Sequence, residues 1–160
     1  MIALKRILVP HDFSETSEAA VQYGIALART FGAQLYFLHV GEKAQSDFET
    51  EFPLGLEGAI EDAVRERLLK IVTPHEQAEL KPEFTLRPGY AANEIVSFAK
   101  EKNIDLIVMG THGRGLVGHV VMGSVAEKVV RTAPCPVLSV RSLSHAFATR
   151  EEPASVRASA

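Results

Sequence analysis

A single cysteine, Cys135, leaves the 160-residue chain no intramolecular disulfide and suits a reducing compartment. No apolar run approaches the roughly 20 residues that a membrane-spanning helix needs. Met1 to Arg6 runs straight into a strand pattern and leaves no room for a secretory signal, so a cytoplasmic protein is expected. Basic residues are not in excess: 17 Lys and Arg stand against 20 Asp and Glu, a net charge of -3. With no basic stripe, binding along a nucleic-acid backbone is disfavoured. There is no Gly-x-x-x-x-Gly-Lys-Ser/Thr loop and no evident base aimed at a terminal phosphate, which argues against a phosphoryl-transfer enzyme. His11, His39, His112 and His119 form no ligand pair at helical spacing and Cys-x-x-Cys is missing, so a zinc site is not expected. No tandem copy and no low-complexity block interrupts the chain.

What is present is enough for one buried core: 46% of the residues are hydrophobic. Apolar residues run together, as in strands covered on both faces, over Arg6–Pro10, 34–40, 104–110 and Val137–Val140. A weaker candidate, 83–86, is mixed in polarity and reads as an edge. Helical periodicity fills the intervals. It covers 16–31, with Ala20, Tyr23, Leu27, Ala28 and Phe31 on one face, Ser14 or Thr16 as cap and Gly32 as terminator. It continues over 56–72, with Ile60, Ala63, Val64, Leu68 and Ile71 inward, then over 92–102, with Ile95, Phe98 and Ala99 inward. A last helix starts near Ser124 with Val125 and Val129 inward.

Strand–helix alternation predicts a single-domain α/β fold, a doubly wound five-stranded parallel sheet joined by right-handed crossovers. Such sheets bind ligands beyond the carboxyl ends of the strands where the winding reverses. That crevice is expected between the strand Arg6–Pro10 and the strand 104–110. Residues 41–55, with Glu42, Asp47, Glu49 and Glu51, read either as a flap over the crevice or as a solvated surface loop. Residues 142–160 read as a flexible tail after a domain spanning 1–141.

The strand 104–110 opens into Gly110-Thr111-His112-Gly113-Arg114-Gly115, and the last helix is entered through Gly123-Ser124. Glycines at the turn let backbone approach a ligand closely, and successive N–H groups there make a concavity for anionic oxygens. Gly123-Ser124 adds unpaired amides and a hydroxyl at a helix N-terminus, where phosphate is favoured. Two such elements joined by a short connector suit a polyphosphate. The competing reading is that these glycines only end a strand and begin a helix. Arg114 stands either against a terminal phosphate or in solvent. Cys135, between two prolines, reads as a small apolar filler and not as a nucleophile.

Gly110, two residues, Gly113, nine residues, then Gly123-Ser124 resembles the ATP-binding pattern of the universal stress protein family. Three further segments resemble that family: Ile7-Leu8-Val9-Pro10-His11-Asp12-Phe13-Ser14, Asp105-Leu106-Ile107-Val108-Met109, and Ala133-Pro134-Cys135-Pro136-Val137-Leu138. The resemblance spans about residues 5–141. It implies a Rossmann-like, adenine-nucleotide α-hydrolase-like sheet of order 3-2-1-4-5. It also implies ATP, or ADP or AMP, with magnesium accompanying the phosphates. Asp12 then stands beside the nucleotide with Pro10 lining the same turn, and the Val40 backbone holds adenine. Gly110, Gly113, Gly123 and Ser124 hold phosphates, continued by Val125, and Gly89-Tyr90-Ala91 closes the other side. His11 and Phe13 are bulkier than the residues many relatives carry there, and Phe13 is expected to pack over the sugar or narrow the pocket. The resemblance implies a homodimer through the last strand, at Val137, Leu138 and Val140. Three roles are therefore weighed: a regulatory ATP-binding stress protein, a slow ATPase or transferase, and a nucleotide-free dimer.

Overall fold

Parallel pairing orders the strands β3-β2-β1-β4-β5 in a computed structural model that describes residues 1–42, 56–111 and 122–141. The strands are β1 (Arg6–Pro10), β2 (Gln34–Glu42), β3 (Glu83–Gly89), β4 (Leu106–Gly110) and β5 (Val137–Val140). The helices are α1 (Glu15–Phe31), α2 (Leu56–Leu69), α3 (Pro74–Leu80), α4 (Ala91–Glu101) and α5 (Ser124–Thr132). The central strands are the apolar runs of the sequence, and Ile7, Leu8, Val9, Ile107 and Val108 are fully buried. Alternation sends Ile7, Val9, Leu35 and Phe37 into one layer with α1 and the end of α2. Leu8, Tyr36, Leu38 and Ile107 enter the other layer with α4 and α5. Asp105 ties the amino ends of β1 and β4 together, its Oδ2 accepting from the Lys5 and Arg6 amides at 2.9 Å each.

α1 begins and ends as its sequence demands. Ser14 caps it by accepting from the Ser17 amide, and Gly32 closes it in the left-handed region at φ 63°. Phe31 is the exception on its expected inner face, being 44% exposed in the last turn.

The expected helix 56–72 is three residues shorter, and a second helix that was not expected follows it. α2 stops at Leu69, where Lys70 and Ile71 turn back onto Arg67 and Leu68 through tightened three-residue bonds. α3 then starts on a capping box: the Thr73 side chain takes the Glu76 amide and the Glu76 side chain takes the Thr73 amide, with Pro74 in the first turn. Of the apolar face expected for α2, Leu68 and Ile71 are buried. Ile60 and Ala63 are exposed, because only the carboxyl end of the helix reaches the sheet. β3 outruns the expected 83–86, pairing with β2 as far as Glu42 opposite Gly89. Pro88, which lacks a donor, is tolerated because β3 is an edge strand. Among the described residues no helix is long and apolar enough to cross a membrane.

Candidate functional site

The strand order reverses its direction of winding between β1 and β4: the chain steps outward from β1 to β2 to β3, then from β4 to β5. The carboxyl ends of β1 and β4 therefore flank the crevice that such sheets offer to ligands. Pro10 ends β1 there, Asp12 follows it, and Gly110 ends β4. β2 extends further than β1: Leu38 is opposite Pro10 and its carbonyl takes the His11 amide at 2.9 Å. Val40 thus lies beside the turn that carries Asp12. Its side chain packs against the α4/α5 layer, as do those of Met122 and Val125.

The two glycine-bearing segments meet at their bases. The Gly123 N–H donates to the Thr111 carbonyl at 2.6 Å, and Thr111 is itself anchored by its amide on the Val140 carbonyl at 2.9 Å. The start of α5 is thereby held at the carboxyl end of β4. α1 and α3 have side-chain caps, whereas α5 begins on Gly123 with no side-chain cap bond. Its first-turn amides, those of Ser124 and Val125 included, thus lack the partner that a cap supplies, and the helix dipole adds to their preference for an anion. α4 also starts without a side-chain cap, on Tyr90, but follows the edge strand β3. Glu127, the acidic residue of the first turn of α5, is paired with Arg131 at 2.9 Å, which offsets its charge.

Gly110 has a second constraint. A Cβ there would lie 2.6 Å from Thr16 Oγ1 and 2.7 Å from the Thr16 carbonyl carbon, so the first turn of α1 rests directly on this glycine. Gly89 sits at φ 142°, open to glycine alone, and a Cβ would meet Glu94 at 2.9 Å. It ends β3 beside the end of β2, two strands from β1. Gly113, Arg114, Gly115, His112 and His119 lie outside the described residues, as do most of 41–55 and all of 142–160.

Asp12 is built into the start of α1. Its Oδ1 accepts from the Ser14 amide at 3.0 Å and from the Ser17 hydroxyl at 2.6 Å. Burial pushes the carboxyl up, but the Ser14 and Ser17 hydroxyls, the Ser14 amide and the neighbouring His11 together outweigh it and hold Asp12 below the ordinary carboxylate value. Because the folded value lies below the unfolded one, the stability Asp12 contributes is present above the unfolded value, about 3.9, and is lost as pH falls through the folded one. Asp12→Asn is expected to lower the urea midpoint at neutral pH and to show a shallower loss below about pH 4. An unchanged midpoint at neutral pH would contradict this.

Phe13 lies on the α1/α2 side of the sheet. It adopts φ 64°, in the left-handed region, and its ring packs against the α1/α2 layer, the side of the sheet opposite Val40 and Val125. The ring lies 4.7 Å from that of His39 and 5.2 Å from that of His11, with the Arg67 guanidinium 4.2 Å from its centre. Arg67, Ser17 and Glu18 are neighbours of the Asp12 turn that sequence reasoning missed. The Asp12-x-Ser14 spacing is a known turn signal that hints at the first bond of the network. Nothing in the sequence announces a guanidinium arriving from α2. Cys135 is half-buried at the margin of the α4/α5 layer. Burial and the Asp105 carboxylate push its thiol up, which favours the protonated form. Among the described residues no cluster of His, Cys, Asp and Glu could hold a metal ion.

A doubly wound parallel sheet, with an uncapped helix start held at its switch point, defines a Rossmann-like α/β protein. The chain belongs to the universal stress protein family, whose model matches residues 3–141. It is 35% identical over 144 residues to universal stress protein MJ0531 of Methanocaldococcus jannaschii, covering 86% of this chain and 82% of the relative. The solved structure of MJ0577 superposes with a TM-score of 0.75 at 27% identity, covering 95% of this chain and 100% of the other. Two universal stress protein structures share the fold at lower identity. One, from Archaeoglobus fulgidus, is a complex with dAMP (22% identical, TM-score 0.57, covering 88% of this chain and 99% of that one). The other is a complex with cAMP (23% identical, TM-score 0.62, covering 87% and 98%).

Proposed function

We propose that the chain is a regulatory module that binds ATP in the switch-point crevice and changes its shape or its partners with nucleotide occupancy. The observation that carries this reading is the Gly123 to Thr111 hydrogen bond, which holds the uncapped start of α5 at the residue that follows β4. Main-chain amides of Gly110, Gly113, Gly123, Ser124 and Val125 take the phosphates, with Arg114 against the terminal one. Asp12 faces the sugar beside Pro10, and the Val40 backbone takes adenine. The triphosphate brings a magnesium ion that keeps most of its waters, as such ions do, and needs few protein ligands. That relatives of the same fold were solved with dAMP and cAMP supports an adenine nucleotide as the ligand class.

Equilibrium dialysis with ATP tests the reading. Saturable binding at cellular concentrations is expected, and its absence would leave a nucleotide-free protein. Turnover above about one per second, inside the ordinary range of enzymes, would make the regulatory role too modest.

The same proposal includes a homodimer. Among the described residues β5 is an edge strand, hydrogen-bonded to β4 alone, and open edges are paired or covered in stable proteins. Val137 and Leu138 are partly exposed on it, while Val140 is turned into the core and offers a partner only its backbone. Leu138→Lys is expected to shift sedimentation from dimer to monomer at micromolar concentration. A wild-type chain that sediments as a monomer would remove this part of the proposal.

A further inference from the structure

His11 is the one buried histidine among the described residues, 3% exposed, and it stands next to Asp12. Its backbone is pinned on both sides: the amide on the Leu38 carbonyl, the carbonyl under His39 Nδ1 at 2.7 Å. Its ring is committed as well. Nδ1 accepts the Phe13 amide at 3.1 Å, and Nε2 lies 3.2 Å from a Glu18 carboxylate oxygen. An N–H donor at Nδ1 requires a lone pair there, so the network assigns the neutral ring with its proton on Nε2, donated to Glu18.

This bond helps hold Phe13 at φ 64°, a left-handed conformation that a non-glycine residue adopts at a cost. Asp12 lies between the two bonded residues, and its Oδ1 is fixed by Ser14 and Ser17 immediately downstream. The shape of the Asp12 turn therefore depends on an unprotonated Nδ1.

We propose that His11 is a positioning residue that keeps Asp12 in its nucleotide-binding place only as a neutral imidazole, so that bound nucleotide is released as pH falls. The inference rests on the nucleotide reading above. A proton on Nδ1 turns the acceptor into a donor aimed at the Phe13 N–H, and the turn must open to separate them. The titratable and charged groups around the ring are Glu18 from α1, Asp12 in the turn, His39 from β2 and, across the Phe13 ring, Arg67 from α2. Glu18 accepts from Nε2 in either state, so the two states differ at Nδ1. His39 donates from Nδ1 whether or not it is charged, so its own titration leaves the His11 carbonyl contact in place.

The test compares ATP affinity at about pH 7.5 and about pH 5.5, across the range in which imidazoles titrate. Wild type, His11→Asn and His39→Gln are measured with the same ligand, so protonation of the phosphates is common to all three. Asparagine offers an oxygen near the Nδ1 position and does not titrate. Wild type and His39→Gln are expected to lose at least about fivefold more affinity on acidification than His11→Asn, the worth of one lost hydrogen bond. Equal losses in wild type and His11→Asn, or a flat response in His39→Gln, would overturn the proposal.

A second measurement needs neither a variant nor nucleotide. The imidazole nitrogen spectrum of the wild-type protein should show His11 Nδ1 unprotonated at neutral pH. Exchange protection of the Phe13 amide should then disappear with the same midpoint as the His11 titration. A protonated Nδ1 at neutral pH, or a Phe13 amide protected throughout, would contradict the assignment. Failure of ATP to bind at about pH 7.5 would sink the nucleotide reading instead, and the spectrum would still decide the role of His11.

Discussion

Gly110→Val is expected to lower the unfolding free energy by about 3 kcal/mol, whether or not nucleotide is present. The added Cβ would sit 2.7 Å from the Thr16 carbonyl carbon and 2.8 Å from Thr16 Cβ, as well as 2.6 Å from Oγ1. The first turn of α1 cannot yield without disturbing its cap on Ser14 and the Asp12 network that supports it. Thr16→Ala should therefore rescue little, since it removes the hydroxyl and leaves the two carbon contacts. Urea midpoints of the single and double variants decide this. A Gly110→Val protein of wild-type stability would mean that α1 does not rest on β4 as described.

The second large effect concerns Gly113, which lies outside the described residues and is assigned by the glycine pattern. Gly113→Val is expected to weaken ATP binding by about a hundredfold or more while leaving the urea midpoint within experimental error. A β-branched side chain would block the close approach of phosphate oxygens to the backbone and disfavour the turn angles a glycine loop uses. The contrast with Gly110 matters. Loss of binding in Gly110→Val reports a damaged scaffold, whereas loss in Gly113→Val with an intact fold reports the phosphate cradle. Unchanged affinity in Gly113→Val would remove this loop from the site.

Much of the frame was legible because buried parallel strands announce themselves as unbroken apolar runs. Ile7 to Val9 and Ile107 to Met109 are examples, and all six residues are buried. The Ser14 cap and the Gly32 terminator were equally legible, being local chemistry within one turn of helix. α3 was not expected: Thr73-Pro74-x-Glu76 is a local helix start, but seven residues are too few to show an apolar period. β3 runs through Pro88 past the expected end at 86, because tolerance of proline depends on the strand lying at the edge, a property of the whole sheet.

The site divides the same way. Pro10, Asp12, Val40, Gly110, Gly123, Ser124 and Val125 all fall at the carboxyl edge of the sheet or at the start of α5. The left-handed Phe13 and its stack with His39 and Arg67 were not legible, since they join three segments far apart in sequence. Nor was the structural duty of Gly110, which is set by how closely α1 approaches β4.

The central claim is that phosphate oxygens sit on main-chain amides drawn together where β4 ends and α5 begins. Adding ATP to 15N-labelled protein tests it residue by residue. The amides of Gly110, Gly113, Gly123, Ser124 and Val125 should show the largest shifts and saturate together. Saturating shifts confined to other parts of the sheet, or no shifts at all, would contradict it.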